Sequence, residues 1–189
     1  MNLLNLAEDE KIADCRAIRD FDLPNHHLVM ATRRGLVKKT PLKAYSRPMK
    51  NGIIAIKLRE DDEVVDVVVT GPGDELVLAT ASGMAIRFSE SDARPTGRNT
   101  SGVKGITLSE GDTMAGMVVA DPEATLLTAT ENGFGKRTPF GPNAVDIDEQ
   151  AEDESSSSFR YRTKKRGGKG LRDIKTTDRN GRESGMVRV

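Results

Sequence analysis

The sequence contains no tryptophan, two tyrosines and five phenylalanines, so aromatic residues make up only 4% of the chain. A platform for single-stranded nucleic acid stacks successive bases on aromatic faces, and too few are present to build one. A single cysteine, Cys15, excludes an intramolecular disulfide. No apolar run approaches the ~18 residues that cross a bilayer as a helix. The first residues also lack the basic and then apolar pattern of a secretory signal. The expectation is a soluble protein of the reducing cytoplasm with no membrane partner.

Nucleotide-binding signatures are missing as well. No G-x-G-x-x-G occurs: the pairs Gly71/Gly73 and Gly133/Gly135 are followed by Leu76 and Thr138 where the third glycine belongs. A P-loop ending near residue 170 would need glycine at Thr163 and a hydroxyl residue at Gly170. His26 and His27 are adjacent, with no cysteine or carboxylate at ligand spacing. Neighbours on a strand point to opposite faces, so neither a metal nor a cofactor is expected.

Net charge is absent too, with 29 basic and 29 acidic residues, yet the charges are segregated. Arg33, Arg34, Lys38, Lys39, Lys43, Arg47 and Lys50 follow one another without an acid, and residues 159–175 hold eight bases against Asp173 alone. Acids gather at residues 60–63 and again at Asp146, Asp148, Glu149, Glu152, Asp153 and Glu154. Two faces of opposite sign are expected, and distribution rather than the sum bears on polyanion binding. The densest cationic stretch is Lys164, Lys165, Arg166, Gly167, Gly168, Lys169 and Gly170. Glycines without Cβ let backbone N–H groups and positive charge approach phosphate oxygens closely, so this loop reads as a phosphate-backbone clamp.

An internal repeat organises the rest. Residues 28–40 (LVMATRRGLVKKT) align with 76–88 (LVLATASGMAIRF) and with 126–138 (LLTATENGFGKRT), their turn glycines Gly35, Gly83 and Gly133 lying 48 and 50 residues apart. Each unit is an apolar β-prone run, a glycine turn and a second run ending in cations, the pattern of a hairpin. A second unit alternates with it: residues 51–62 (NGIIAIKLREDD) resemble 101–112 (SGVKGITLSEGD), with weaker copies at 4–10 and 168–180. It predicts strands at 53–58 and 64–70, then at 106–108 and 114–119, around acidic turns. Four strands per ~50 residues is one propeller blade. The chain is therefore expected to be nearly all β, with one helical turn near 89–93. About three blades are present where closed propellers have at least four, which suggests a piece of a larger array. The organisation expected is blades over 1–140, an acidic and serine-rich insertion or linker at 141–158, and a partial blade at 159–189 carrying the glycine loop.

Repeats and loop together resemble the C-terminal DNA-wrapping domain of the bacterial DNA gyrase A subunit. The carriers are Met30-Ala-Thr with Gly35-x-Val-Lys-Lys-Thr40, Arg98-Asn-Thr-x-Gly-Val-x-Gly-Ile106, Leu108-x-Glu-Gly-Asp112, the third hairpin, and Thr177-x-Arg-Asn-Gly181. The family's hallmark box, Gln-Arg-Arg-Gly-Gly-Lys-Gly, falls on residues 164–170, with Lys164 and Lys165 in place of its Gln and first Arg. The resemblance implies a six-bladed β-pinwheel, with strands exchanged between blades, whose basic perimeter bends duplex DNA. It implies phosphate contacts at Arg33, Arg34, Lys38, Lys39, Arg87, Lys136, Arg137 and the box. The partners it implies are a cleavage core and a B subunit, in a nucleoid-associated bacterial type IIA topoisomerase that supports negative supercoiling. Neither Tyr45 nor Tyr161 has the context of a cleavage nucleophile, so no catalytic residue is expected here. Two alternatives stand beside this reading: the corresponding domain of topoisomerase IV, and a propeller-type protein-interaction module with a charged rim.

Overall fold

The computed structural model describes residues 6, 8, 10–143 and 161–189. Three antiparallel hairpins form its frame. The first joins β1 (His27–Thr32) to β2 (Leu36–Pro41) and the second joins β4 (Glu75–Thr80) to β5 (Met84–Ser89). The third joins β8 (Thr125–Thr130) to β9 (Gly135–Pro139). Each turns on a Thr-x-x-Gly sequence in which the glycine N–H donates back to the threonine carbonyl, at 2.9, 2.8 and 3.0 Å. Gly35, Gly83 and Gly133 sit at φ of +79°, +82° and +79°, a region that strains any residue with a Cβ. The expected hairpin register is thus observed in all three copies.

The acidic turns of the alternating unit lock these hairpins. Asp62 accepts from the Thr32 hydroxyl at 2.7 Å and the Arg34 N–H at 3.0 Å, and Asp112 accepts from the Ser82 N–H at 2.9 Å. Behind each acidic turn an inner strand returns along the hairpin: β3 (Val64–Thr70) beside β1, β7 (Met114–Val119) beside β4, and β11 (Glu183–Arg188) beside β8. The expected strands at 64–70 and 114–119 are present. Those expected at 53–58 and 106–108 are not. Two-residue strands appear instead at β6 (Val103–Lys104) and β10 (Leu171–Arg172), and both pair outside their own unit. β6 lies on β2 of the first hairpin and β10 on β5 of the second, so the sheet orders are β3-β1-β2-β6, β10-β5-β4-β7 and β11-β8-β9. Strands are exchanged between successive blades. Short 3-10 turns follow two hairpins, at Leu42–Tyr45 and, as expected, at Glu90–Asp92.

Packing follows from stacking the sheets. Every residue of β4 is buried because alternate side chains face opposite neighbours. Leu76 and Leu78 meet Val29, Val37 and Ile106 in one cluster, whereas Val77 and Ala79 meet Leu126 and Phe140 in another. β8 instead alternates buried Leu126, Thr128 and Thr130 with exposed Leu127 and Ala129, since the described residues cover one of its faces. A third cluster of Leu28, Met30, Leu42 and Tyr45 is covered by Ile18, Phe21 and Ile56. At ~1.5–3 kcal/mol for each fully buried large aliphatic or phenylalanine side chain, these interfaces dominate the favourable side of folding. Tyr45 is a packing residue whose hydroxyl donates to the Ala55 carbonyl at 3.2 Å.

Candidate nucleic-acid interface

The glycine-rich loop runs along the outer edge of the second blade. Its entry is fixed by the Lys164 N–H donating to the Arg87 carbonyl at 2.7 Å, and its middle by the Gly167 N–H donating to the Gly105 carbonyl at 2.7 Å. The Gly168 carbonyl accepts from the Thr107 N–H at 2.8 Å and the Gly167 carbonyl from the Thr107 hydroxyl at 2.7 Å. Gly170 needs to be glycine twice over: its φ is +76°, and a Cβ there would lie 2.4 Å from the Ala85 carbonyl oxygen. Backbone contact of this kind seats the loop between the first and second blades with Lys164, Lys165 and Lys169 exposed. Among the described residues none of these three lysines is in an ion pair. Arg166 behaves differently, since Nε donates to the Asp92 carbonyl at 3.0 Å and Nη1 to the Lys104 carbonyl. It holds the loop in place and leaves one guanidinium nitrogen for an external anion.

The same geometry recurs one blade earlier, in residues 96–102. The Thr96 N–H donates to the Lys39 carbonyl at 2.9 Å, as Lys164 does to Arg87. Arg98 donates to the Ile54 carbonyl at 3.3 Å, as Arg166 does to Lys104. The Thr100 carbonyl accepts from the Lys57 N–H at 3.0 Å, as Gly168 does from Thr107, and Gly102 presses on the Val37 carbonyl at the 2.4 Å of Gly170 on Ala85. The sequence contained the signal, an arginine four residues before a glycine in both loops, but Arg98 was expected only as a family marker. Exposed Lys104 and Arg172, on the exchanged strands, are further cations on this perimeter that the sequence reading left out.

Several predicted contacts are corrected by burial. Arg87 is 1% exposed and pairs with Glu75 at 2.5 Å. Its other nitrogens donate to the Phe140 carbonyl at 2.5 Å, the Tyr161 carbonyl at 3.2 Å and Asn143 Oδ1 at 2.8 Å. It gathers the two ends that flank the expected insertion, most of which, with its acidic cluster, lies outside the described residues. Lys39 is likewise buried in an ion pair with Glu90. Lys38 donates to the Thr40 hydroxyl at 2.6 Å and the Ala55 carbonyl at 2.9 Å. Burial first, and the nearby charge of Arg98 second, lower its pKa to about 8. The physical reason is shared: these strands are covered on both faces, so their cations have been turned inward, Arg87 and Lys39 onto carboxylates and Lys38 onto neutral oxygens.

The remaining predicted contacts are at the surface. Arg33 and Arg34 are exposed at the first turn but face Glu63 at 2.9 Å and Asp61 at 3.9 Å, so opposite charges mix there rather than separating into two faces. Lys136 reaches buried Asp173 at 3.1 Å, and Arg137 is exposed, with Nε donating to the Thr125 hydroxyl at 2.6 Å. Asp173 also accepts from the Tyr161 hydroxyl at 2.5 Å and the Thr128 hydroxyl at 2.7 Å. Burial, then the Asp173 charge, pushes the Tyr161 phenol well above its usual range. Among the described residues no group of three His, Cys, Asp or Glu side chains could hold a metal, and no helix is long and apolar enough to cross a membrane.

Comparison with known proteins agrees with this geometry. The family described as the DNA gyrase C-terminal domain, β-propeller, matches residues 26–70, 74–121, 124–141 and 160–182. The DNA gyrase A subunit of Staphylococcus epidermidis is 42% identical over 183 residues, and that of Staphylococcus aureus 40%. These cover 96% of this chain, which spans only 18% and 19% of those relatives. Among solved structures, the C-terminal domain of a DNA topoisomerase IV superposes with a TM-score of 0.79 at 31% identity, covering 98% of this chain and 53% of that one. A DNA gyrase A C-terminal domain superposes with a TM-score of 0.78 at 26% identity, covering 99% and 56%. Exchanged strands, turn glycines and matched repeats together place the chain in the DNA gyrase C-terminal β-propeller family.

Proposed function

We propose that this chain binds duplex DNA without reading its sequence and bends it along the outer edges of successive blades, within the A subunit of a bacterial gyrase. The observation that carries the reading is the repeated loop geometry at 96–102 and 164–170. Two backbone-seated loops lie at the same place on neighbouring blades, with Lys164, Lys165 and Lys169 exposed on one and exposed Lys104 two residues beyond the other. Phosphate contacts of this kind give affinity and register but no base discrimination. The contacts we assign are Lys164, Lys165, Lys169, Lys104, Arg172 and Arg137, with Arg98 and Arg166 holding the loops. In this reading cleavage and ATP hydrolysis belong to a cleavage core and a B subunit, this chain needs no cofactor, and the whole works in the bacterial cytoplasm. The A subunit of topoisomerase IV is the second reading, supported by its solved domain at 31% identity. The curated gyrase A relatives at 40–42% weigh toward gyrase.

The test compares the chain with its Lys164→Ala, Lys165→Ala, Lys169→Ala triple variant. Affinity for a short duplex should fall with salt at a log–log slope of about −0.9 per phosphate contacted, and the triple variant should lose up to ~2.7 from that slope. End-to-end shortening of a long duplex should suffer more than short-duplex affinity. Bending carries an elastic cost of a few kcal/mol that the extra grip offsets, whereas cations elsewhere on the rim still hold a short fragment. A wild-type slope near zero would turn the reading toward an acidic protein partner. Equal proportional loss of binding and shortening would reduce the loop to one more basic patch.

A further inference from the structure

The loop at 164–170 and its twin at 96–102 seat by matching backbone contacts, but different side chains flank them. Tyr161, Thr163 and Asp173 stand around the lysine-bearing loop where Ala93, Pro95 and Gly105 stand around the twin. At the loop's entry the Thr163 hydroxyl donates to the Glu75 carboxylate, 3.0 Å from Oε1 and 3.2 Å from Oε2. Arg87 holds that same carboxylate from the other side. Across the base of the loop the Tyr161 hydroxyl donates to Asp173 Oδ1 at 2.5 Å, joining the residues that lie before and after it. Asp173 is fixed in turn to the third hairpin by the Thr128 hydroxyl at 2.7 Å and Lys136 at 3.1 Å. Both carboxylates are buried, with Glu75 2% and Asp173 8% exposed.

The twin shows that such a loop seats without these bonds. Ala93, Pro95 and Gly105 have no side-chain donor or acceptor, yet residues 96–102 lie on the first hairpin as 164–170 lie on the second. The polar clamp accompanies what the second loop alone carries, its exposed Lys164, Lys165 and Lys169. Three glycines leave the backbone of that loop pliant. Attraction of lysines to phosphates tolerates pliancy, because it depends on charge and falls off gradually with distance. Bending does not tolerate it: a curved duplex pulls back elastically, and a grip that yields lets the helix straighten. Burial raises the pKa of the Tyr161 phenol, so it remains a donor throughout the neutral range.

We infer that Tyr161 and Thr163 are positioning residues for the phosphate grip, tying the two ends of the loop to the buried carboxylates of Asp173 and Glu75 and making it stiff enough to hold a duplex bent. The inference rests on the function proposed above and adds the device that makes this loop serve curvature as well as affinity. Neither residue contributes charge, so its effect is separable from that of the lysines. Groups that grip need a supporting shell that fixes them, and here the shell is four side chains deep in the joint between the second and third hairpins: Glu75, Arg87, Asp173 and Lys136.

The test removes hydroxyls and leaves every charge in place. Tyr161→Phe retains the ring tilted against Phe140, with centroids 6.2 Å apart, and Thr163→Val retains the branched shape. With both changes in the 189-residue chain, the salt slope of short-duplex binding should match wild type and the affinity should stay within about twofold. End-to-end shortening of a long duplex at saturating protein should fall by about half or more. Thr163→Ser keeps the donor and should shorten the duplex as wild type does. Tyr45→Phe, which removes the hydroxyl bonded to the Ala55 carbonyl in the first blade, is the control for general loosening and should also leave shortening intact. Thermal melts establish that each protein is folded at the assay temperature, and if the double variant is not, the two single changes decide. Undiminished shortening in the clamp variants, an equal loss from Tyr45→Phe, or a loss of short-duplex affinity in step with shortening overturns this inference and leaves the proposed function standing. A wild-type chain that neither binds nor shortens duplex DNA overturns both.

Discussion

Arg87 and Arg137 hold the same position in successive hairpins, yet one is a buried hub and the other a surface cation. Arg87 stands in a sheet stacked between two others, paired with Glu75 and holding the carbonyls of Phe140 and Tyr161. Among the described residues, Arg137 stands in a sheet whose outer edge carries no further strand, and it bonds to the neighbouring Thr125 hydroxyl. A repeat thus fixes where a side chain starts, while the neighbouring blade decides what it does. The middle blade spends its cation on cohesion; the third leaves its cation for the surface.

The sharpest break of this contrast is Arg87→Ala. It strands Glu75, whose side chain is 3% exposed, as a buried carboxylate without its guanidinium, and it frees the carbonyls that Arg87 holds. Losing one partner of a buried pair costs about 3–5 kcal/mol, so the thermal midpoint should drop by many degrees. A melt within a degree or two of wild type would show that the pair contributes little and that the middle blade is not held as described.

Glu183 sharpens the comparison from the opposite sign. It begins β11 where the other inner strands begin with Val64 and Met114, and neither carboxylate oxygen has a hydrogen-bond partner. Burial, then the charges of Asp173 and Asp112, raise its pKa to about 8 against an opposing pull from Lys136. Folded-state pKa therefore exceeds the ordinary 4.5, and the fold binds a proton that the unfolded chain releases. Stability from this group is fully present below about pH 4.5, falls as pH rises, and levels off above about pH 8. Glu183→Met, which copies the equivalent Met114, should flatten that decline and stabilise the chain by ~1–3 kcal/mol above pH 8. Denaturant melts of both proteins on either side of the window check it. An unchanged pH profile in the variant would remove Glu183 as the cause.

What the sequence revealed, and what it hid, divides along local and non-local physics. The hairpins were legible because turn glycine, β-prone runs and spacing all lie within thirteen residues and recur three times. The exchanged strands were not, since Val103 and Leu171 are strand only by virtue of Val37 and Ala85 in another unit. The glycine loop was found by composition, but its twin at 96–102 has one cation, Arg98, and its arginine-to-glycine spacing gained meaning only from the matching contacts of the two loops. Buried cations misled for a related reason. Arg87 has its partner twelve residues away on a diagonal of the same hairpin, so Glu75 was a readable clue. Lys39 finds Glu90 across 51 residues, a contact only the stacked blades create.

The smallest expected effect is the most direct probe of the opening contrast. Arg137→Ala removes an exposed side chain whose described bond is to a surface hydroxyl, so stability should stay within ~0.5 kcal/mol of wild type, far from the cost at Arg87. If Arg137 instead faces phosphate, the same change should take about 0.9 from the salt slope of duplex binding and weaken it alike for unrelated sequences. The two readouts have to be taken on one preparation, because a partly unfolded variant also binds less. A large fall in melting temperature would mean that Arg137 is structural after all, and that position in the repeat outweighs the neighbouring blade. Unchanged stability with an unchanged salt slope would take Arg137 off the perimeter path and leave binding to the loops and exchanged strands.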